Sequence, residues 1–425
     1  MNRHAFLRLG ALTVACAALL AGCGGGGGGA TDTDDHAGER IDSAGRLAVL
    51  QADSANVRIW DLDEGKLAQS FALDHPPAAV YASPGGRYAI ALQRTQDQAQ
   101  FIDGGLWQED HGDHLHDYRQ APRLLSLRLP AVRPTHFETH GSQAALFNDG
   151  LVADNKNAEV VLLSDAGIGK DTADARLPLP LPMHGTAEPL GEHLLTTYRD
   201  PANTSTLPVQ VDLYRRTTTG FTFVQRFAET CPDLHGSFTN AKHTAFGCSD
   251  GVLVVSRSGT GASATFTARK LPNPADMPTG VRIGTIKGHD KVAQLVGLAS
   301  PGHLFVIDAD AGRITRLNWA EGRTVRAQGF DRAGSNYAVL DDQGALHITS
   351  PANAFATRAK VNVVAQMPTA APFPSMVSSL TRDELLVSDP AARQVAVVDV
   401  PGAKVGKRLD MGFAPTGLAW LGIAP

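Results

Sequence analysis

Three imidazoles and three carboxylates fall within eight residues of this chain, Glu109-Asp110-His111-Gly112-Asp113-His114-Leu115-His116. Imidazole is the commonest side-chain metal ligand, and carboxylates beside it orient the ring and add an anionic field for a divalent cation. The stretch has no apolar period and follows the Gly104-Gly105 turn and Trp107, so it has little reason to be core. The plain alternative is a solvated polar loop, because a His-rich tract is assigned on composition alone. Metal capture is the stronger reading because histidines recur downstream at one structural position.

His136 lies in Pro134-Thr135-His136-Phe137-Glu138-Thr139-His140, His184 in Pro182-Met183-His184-Gly185-Thr186, and His235 in Cys231-Pro232-Asp233-Leu234-His235-Gly236. Each stands at a similar interval before the next strand. A lone histidine at a strand end is usually structural, but three at one register on consecutive repeats meet wherever those repeats converge. Three nitrogens plus one exchangeable ligand suit tetrahedral Zn²⁺. The loop with His111, Asp113, His114 and His116 is long enough to fold back over one mouth of a central channel, as a fourth ligand or a second, looser site. His140, His193 and His243 are second-choice ligands, and His75 precedes a fourth such strand but sits several residues too early.

The elements that must position these groups are strands. Beyond the N-terminal region the chain repeats with a period of roughly 40 to 55 residues, the range of propellers and solenoids. Each unit has a small or Gly-bearing turn, a short apolar strand, a polar loop and a second apolar strand ending near Asp or Ser. Examples are Gly45-Arg46-Leu47-Ala48-Val49-Leu50 with Val57-Arg58-Ile59-Trp60-Asp61, and Gly86-Arg87-Tyr88-Ala89-Ile90-Ala91-Leu92 with Phe101-Ile102-Asp103. Alternating strands with no interposed helices give antiparallel sheets, and radial repetition of such sheets leaves few exposed edges. The expected fold is an all-β propeller of eight blades, or seven if one unit is misread. Pro415-Thr416-Gly417-Leu418-Ala419-Trp420-Leu421 reads as an inner strand with no second strand after it, and would close the ring by completing the first blade.

The chain has 425 residues with a formal net charge of -5, which argues against a nucleic-acid partner. Residues 1–22 read as a lipoprotein signal peptide: a basic start with Arg3, His4 and Arg8, a short apolar run, then Leu20-Ala21-Gly22-Cys23. Cleavage before Cys23 would leave a lipid on its thiol, residues 23–40 would form a Gly-rich tether, and residues 41–425 the propeller. The expected location is the periplasm, anchored to a membrane that the sequence does not specify. Cys16 leaves with the signal, so Cys231 and Cys248 remain; export and an even count favour joining them, with zinc thiolates as the alternative.

These segments resemble the AztD-type periplasmic zinc metallochaperones. The resemblance is carried by Trp107–His116, Arg133–Gly141, Met183-His184-Gly185-Thr186, Cys231–Gly236 and Gly247-Cys248-Ser249-Asp250-Gly251. It implies a propeller that binds zinc through the inner histidines and a mobile His-rich loop. It also implies a Cys231–Cys248 disulfide and transfer of the ion to the substrate-binding protein of a zinc ABC transporter. The lipobox and poly-Gly tether depart from the plain secretory signal expected of that family.

Two rivals use the same channel. A metal-dependent hydrolase or lactonase-like propeller would need a general base, for which Glu138 and Glu188 are candidates. A non-catalytic scaffold would leave the histidines incidental. No phosphate-binding Gly fingerprint stands at a strand–helix junction, and Ser256–Ser263 is a Gly/Ser loop without a catalytic partner evident in the sequence.

Overall fold

Strands of three to eight residues, rich in Val, Ile, Leu and Ala and cut by Gly and Asp turns, cannot bury two faces alone and must stack. The computed structural model describes residues 40–218 and 220–424. Among them are eight four-stranded antiparallel sheets and one two-stranded hairpin, so the chain is an eight-bladed β-propeller. The signal-peptide and lipidation assignments (residues 1–22 and Cys23), and all but the last residue of the tether, lie outside the described residues.

Blades 2 to 8 each run in chain order from the inner strand outward. Three adjoining blades carry the candidate ligands. Blade 3 comprises Pro134–His140, Gln143–Asn148, Glu159–Leu163 and Ala175–Pro178. Blade 4 starts at Ala187–Leu190 and blade 5 at Ser237–Thr239. Because strand directions alternate, every inner strand begins on one face of the ring, here the entry face, and ends at a turn on the other, the turn face.

The core lies between blades. In the blade 2 strand Tyr88–Gln93 every residue is buried, as its continuous apolar run implies. A middle strand is covered on both faces by neighbouring blades, and its alternation is one of size. Tyr88, Ile90 and Leu92 pack with Phe101, Phe137 and Leu146 toward blade 3, while Ala89 and Ala91 face Ala48, Ile59 and Leu421 of blade 1. Only outer strands such as Lys66–Ala72 are mostly exposed.

The C-terminal strand Pro415–Leu421 pairs antiparallel with Arg46–Gln51, placing Trp420 opposite Leu47, and becomes the inner strand of blade 1. Trp420 is 2% exposed and its indole N–H donates to the Ala44 carbonyl at 2.9 Å. Gly45, at φ +89°, makes room for this: a Cβ there would lie 2.6 Å from the Leu421 carbonyl oxygen. Deleting residues 415–425 strips one ladder from Arg46–Gln51 and uncovers the core between blades 1 and 8. Loss of a Trp from a core alone costs about 3–5 kcal/mol. The expected result is a chain that fails to melt cooperatively, checked by thermal circular dichroism.

Candidate metal centre

His136 belongs to the first turn of the blade 3 inner strand, where a bulge falls between Pro134 and His136 in the pairing with Gln143–Asn148. Just before it, Arg133 is held in the left-handed region (φ +56°), its N–H donating to Asp97 Oδ1 at 3.0 Å. Asp233, two residues before His235, has the same backbone sign (φ +51°). These turns swing the chain from each outer strand into the channel, so the three histidines enter at one level.

The ring brings the three imidazoles together. His136, His184 and His235 each offer a nitrogen within 4.8 Å of the others, and all three are half-buried. Ring centroids are 4.9 to 5.3 Å apart. Each ring is held by its Nδ1: on the Gly185 carbonyl for His136 (2.8 Å), Asp149 Oδ2 for His184 (2.9 Å) and the Gly284 carbonyl for His235 (2.7 Å). Carbonyl and carboxylate oxygens only accept, so each Nδ1 carries a proton and each Nε2 is the nitrogen turned toward the other rings. The Nε2 atoms of His184 and His235 stand 3.0 Å apart. At that distance a proton on one Nε2 joins the two rings in a hydrogen bond in the metal-free protein, and a bound metal ion would take that proton's place. Tetrahedral zinc with Zn–N of about 2.0–2.1 Å would set its nitrogens about 3.4 Å apart.

Gly185 is needed where it stands. A Cβ there would collide with Thr197 Oγ1 and sit 2.6 Å from the Phe147 ring, so a side chain would push the carbonyl off His136. Asp149 is buried and shared, taking His184 Nδ1–H and a 2.8 Å hydrogen bond from Arg94, whose Nε also donates to Thr135 Oγ1. The sequence reading missed Asp149 and Arg94. The available signal was a carboxylate in Asn148-Asp149-Gly150, where the second strand of a triad blade returns to the entry face. A 410 Å³ pocket beside Asp149 and His184 opens this site to solvent.

Burial, and then the charges of His184 and His235, push the His136 imidazole down to about 4; burial also lowers His235. His136 is therefore neutral and ready to ligate well below the usual imidazole range, His235 is shifted in the same direction, and proton competition at these two sets in later than their residue type alone implies. The same shifts act on stability. Between pH about 6.5 and about 4 the unfolded chain protonates these rings while the folded one resists, so stability rises with pH across that window. Metal-free protein should lose thermal stability progressively from pH 6.5 downward, with the loss levelling off near pH 4 as folded His136 takes its proton. Melting curves of wild type and His136→Gln over this range check it, the variant giving the shallower slope.

The other candidates lie elsewhere. His111, His114 and His116 sit on a two-stranded hairpin, Leu106–Asp110 paired with Leu115–Arg119, with ring centroids 5.2 to 6.4 Å apart. Asp113 Oδ1 meets His114 Nδ1 at 2.8 Å. The hairpin is built rather than loose: Trp107 stacks on Tyr118, Arg87 lies over Trp107, and His116 stacks on Tyr118. It leaves the blade 2 strand Gln98–Asp103 at Asp103, which pairs with Tyr88 on the turn face. Arg94, by contrast, reaches the triad from the opposite end of Tyr88–Gln93. The expectation that this segment folds over the triad is therefore corrected: it stands on the other face of the ring. A connection between a third and a fourth strand always lies there.

His140 ends the blade 3 inner strand, four residues or about 13 Å beyond His136, too far to share its ion. His193 is buried against Phe266, and His243 bridges Ser256 Oγ (2.8 Å) and Asp310 Oδ1 (3.1 Å). His75 is exposed and outside the cluster. Cys231 and Cys248 form a disulfide with S–S 2.05 Å, so the zinc-thiolate alternative is excluded.

No protein-family model matches the chain. Among curated proteins the zinc chaperone AztD of Citrobacter koseri is 25% identical over 281 residues, which cover 65% of this chain and 62% of that protein. The chain thus matches a little under two thirds of that relative's length. Among solved structures, apo AztD from Citrobacter koseri superposes with a TM-score of 0.73 at 20% identity, covering 88% of this chain and 96% of that one. A second crystal structure of the same protein gives a TM-score of 0.74. The dihydro-heme d1 dehydrogenase NirN shares the fold more distantly, with a TM-score of 0.60 at 12% identity over 90% of this chain and 76% of its own. In sequence this chain is similar to the zinc chaperone AztD over part of its length, and in fold, with three imidazoles gathered at the propeller's axis, it resembles the same protein.

Proposed function

We propose that the chain is a zinc metallochaperone that holds Zn²⁺ on His136, His184 and His235 and passes it by ligand exchange to the substrate-binding protein of a zinc ABC transporter. The observation that carries this reading is the convergence of three rings, Nε2 inward, whose Nδ1 atoms are already hydrogen-bonded. Three protein nitrogens leave one position for an incoming ligand, so a partner can attach before the chaperone lets go. The relationship to a protein named as a zinc chaperone supports the choice of metal and of role. In this reading the protein works in the periplasm, anchored through Cys23.

The His111–His116 hairpin is a second, looser zinc site on the turn face. The described chain starts beside it, with the Ile41 N–H and the Arg40 Nε both donating to Asp117 of the hairpin, at 2.8 and 3.3 Å. The triad opens on the opposite face, leaving that mouth to a soluble partner. Zinc titration of chelator-stripped protein, followed by transfer to the substrate-binding protein, tests the proposal; absence of a tight site ends it. Deleting Glu109–His116 should remove the weaker binding event while the tighter affinity stays within about twofold, and should slow loading at low zinc. An equal loss at both sites would show that the hairpin belongs to the triad.

A further inference from the structure

Below the imidazoles the channel changes chemistry. Two and four residues beyond the triad the inner strands present Glu138, Thr186 and Glu188, Ser237 and Thr239. All five offer oxygens, and the one side-chain nitrogen that these three strands place at this register is that of His140, at the end of the blade 3 strand. Thr186 Oγ1 meets Ser237 Oγ at 2.8 Å, and the Thr239 hydroxyl donates to Glu188 Oε2 at 2.8 Å. Glu188 is 1% exposed and its Oε1 has no hydrogen-bond partner. Burial raises the Glu188 carboxyl against the pull of the Ser237 and Thr239 hydroxyls and of Lys287.

A buried carboxylate oxygen without a partner is costly, and two carboxylates within reach of each other double the problem. The Lys287 ammonium acts on both from a distance, but it is exposed and ion-paired to neither among the described residues. A shared proton would draw the carboxyls into a short hydrogen bond of about 2.5–2.7 Å. No hydrogen bond joins Glu138 to Glu188, and Oε1 stays bare. We propose that Glu138 and Glu188, with the hydroxyls of Ser237 and Thr239, form a second cation site deeper in the channel, for a hard divalent ion of the Ca²⁺, Mn²⁺ or Mg²⁺ class. All-oxygen donor sets prefer such ions, as imidazole sets prefer zinc. The inference stands whether or not the triad carries zinc. Where both sites fill, like charges on one axis oppose each other, and the weakening is reciprocal.

The experiment uses the full chain stripped with chelator. Mn²⁺ is titrated by electron paramagnetic resonance and Ca²⁺ by calorimetry. The samples are wild type, Glu188→Gln, Thr239→Val and the triple variant His136→Ala/His184→Ala/His235→Ala. Wild type and the triple variant should each bind one Mn²⁺ saturably. Glu188→Gln should bind at least tenfold more weakly, and Thr239→Val should be weakened in the same direction, both with unchanged circular dichroism. No saturable binding by wild type overturns the assignment. So does undiminished binding in both oxygen-ligand variants, which would place the ion on the hairpin, or loss in the triple variant, which would place it on the imidazoles.

Discussion

His136→Ala/His184→Ala/His235→Ala should bind no zinc at the tight site, leaving only the weaker event assigned to the hairpin. Each single substitution removes one of three nitrogens and should cost more than the roughly 10- to 100-fold typical of an outer partner. Asp149→Ala separates ligand from support. It removes the acceptor that fixes the His184 tautomer and leaves Arg94 without its 2.8 Å partner, while all three Nε2 atoms remain. Its expected effect is a loss of about 10- to 100-fold in affinity. Competition titration against a chromophoric chelator measures all of these. An Asp149→Ala protein that binds as tightly as wild type would show that the carboxylate does not orient the site.

Removing the disulfide should act on stability and on zinc together. Cys231 and Cys248 are separated by 17 positions, and closing a loop of that size constrains the unfolded chain by about 3 kcal/mol. Cys231→Ser/Cys248→Ser should therefore melt about 5 °C lower. The cross-link also ties down the segment that delivers His235, four residues after Cys231, together with backbone bonds from Leu234 N–H to the Pro208 carbonyl and Ser249 N–H to the Pro232 carbonyl. Zinc affinity should fall in the double variant, chiefly through a faster off-rate, as His235 loses its fixed entry to the channel. Thermal melts and stopped-flow chelator competition read the two effects separately. A variant that melts lower yet releases zinc at the wild-type rate would leave the cross-link as a purely structural staple.

Much of this was legible one residue at a time. Turn-and-strand units repeat along the chain, and Pro415–Leu421, an inner strand without a follower, announces how the ring closes. His136, His184 and His235 share a register, so once the repeat is recognised their meeting at the axis follows. What was not legible was how each middle strand divides between its two neighbours, because blades cover both faces and the pattern is large against small.

By itself, then, the amino-acid order determined the propeller with eight blades or seven, the closing strand and the level at which the imidazoles enter, because each depends on local spacing and turn chemistry. The structure settled the count at eight. Only the tertiary structure decided which ring nitrogens face the axis. The Gly185 and Gly284 carbonyls and the Asp149 carboxylate come from neighbouring segments far along the chain, and they turn three rings so that Nε2 points inward. Tertiary structure also set the His111–His116 hairpin on the opposite face. Side-chain composition carries no information about which end of a blade a connection leaves from; the alternating direction of successive strands does.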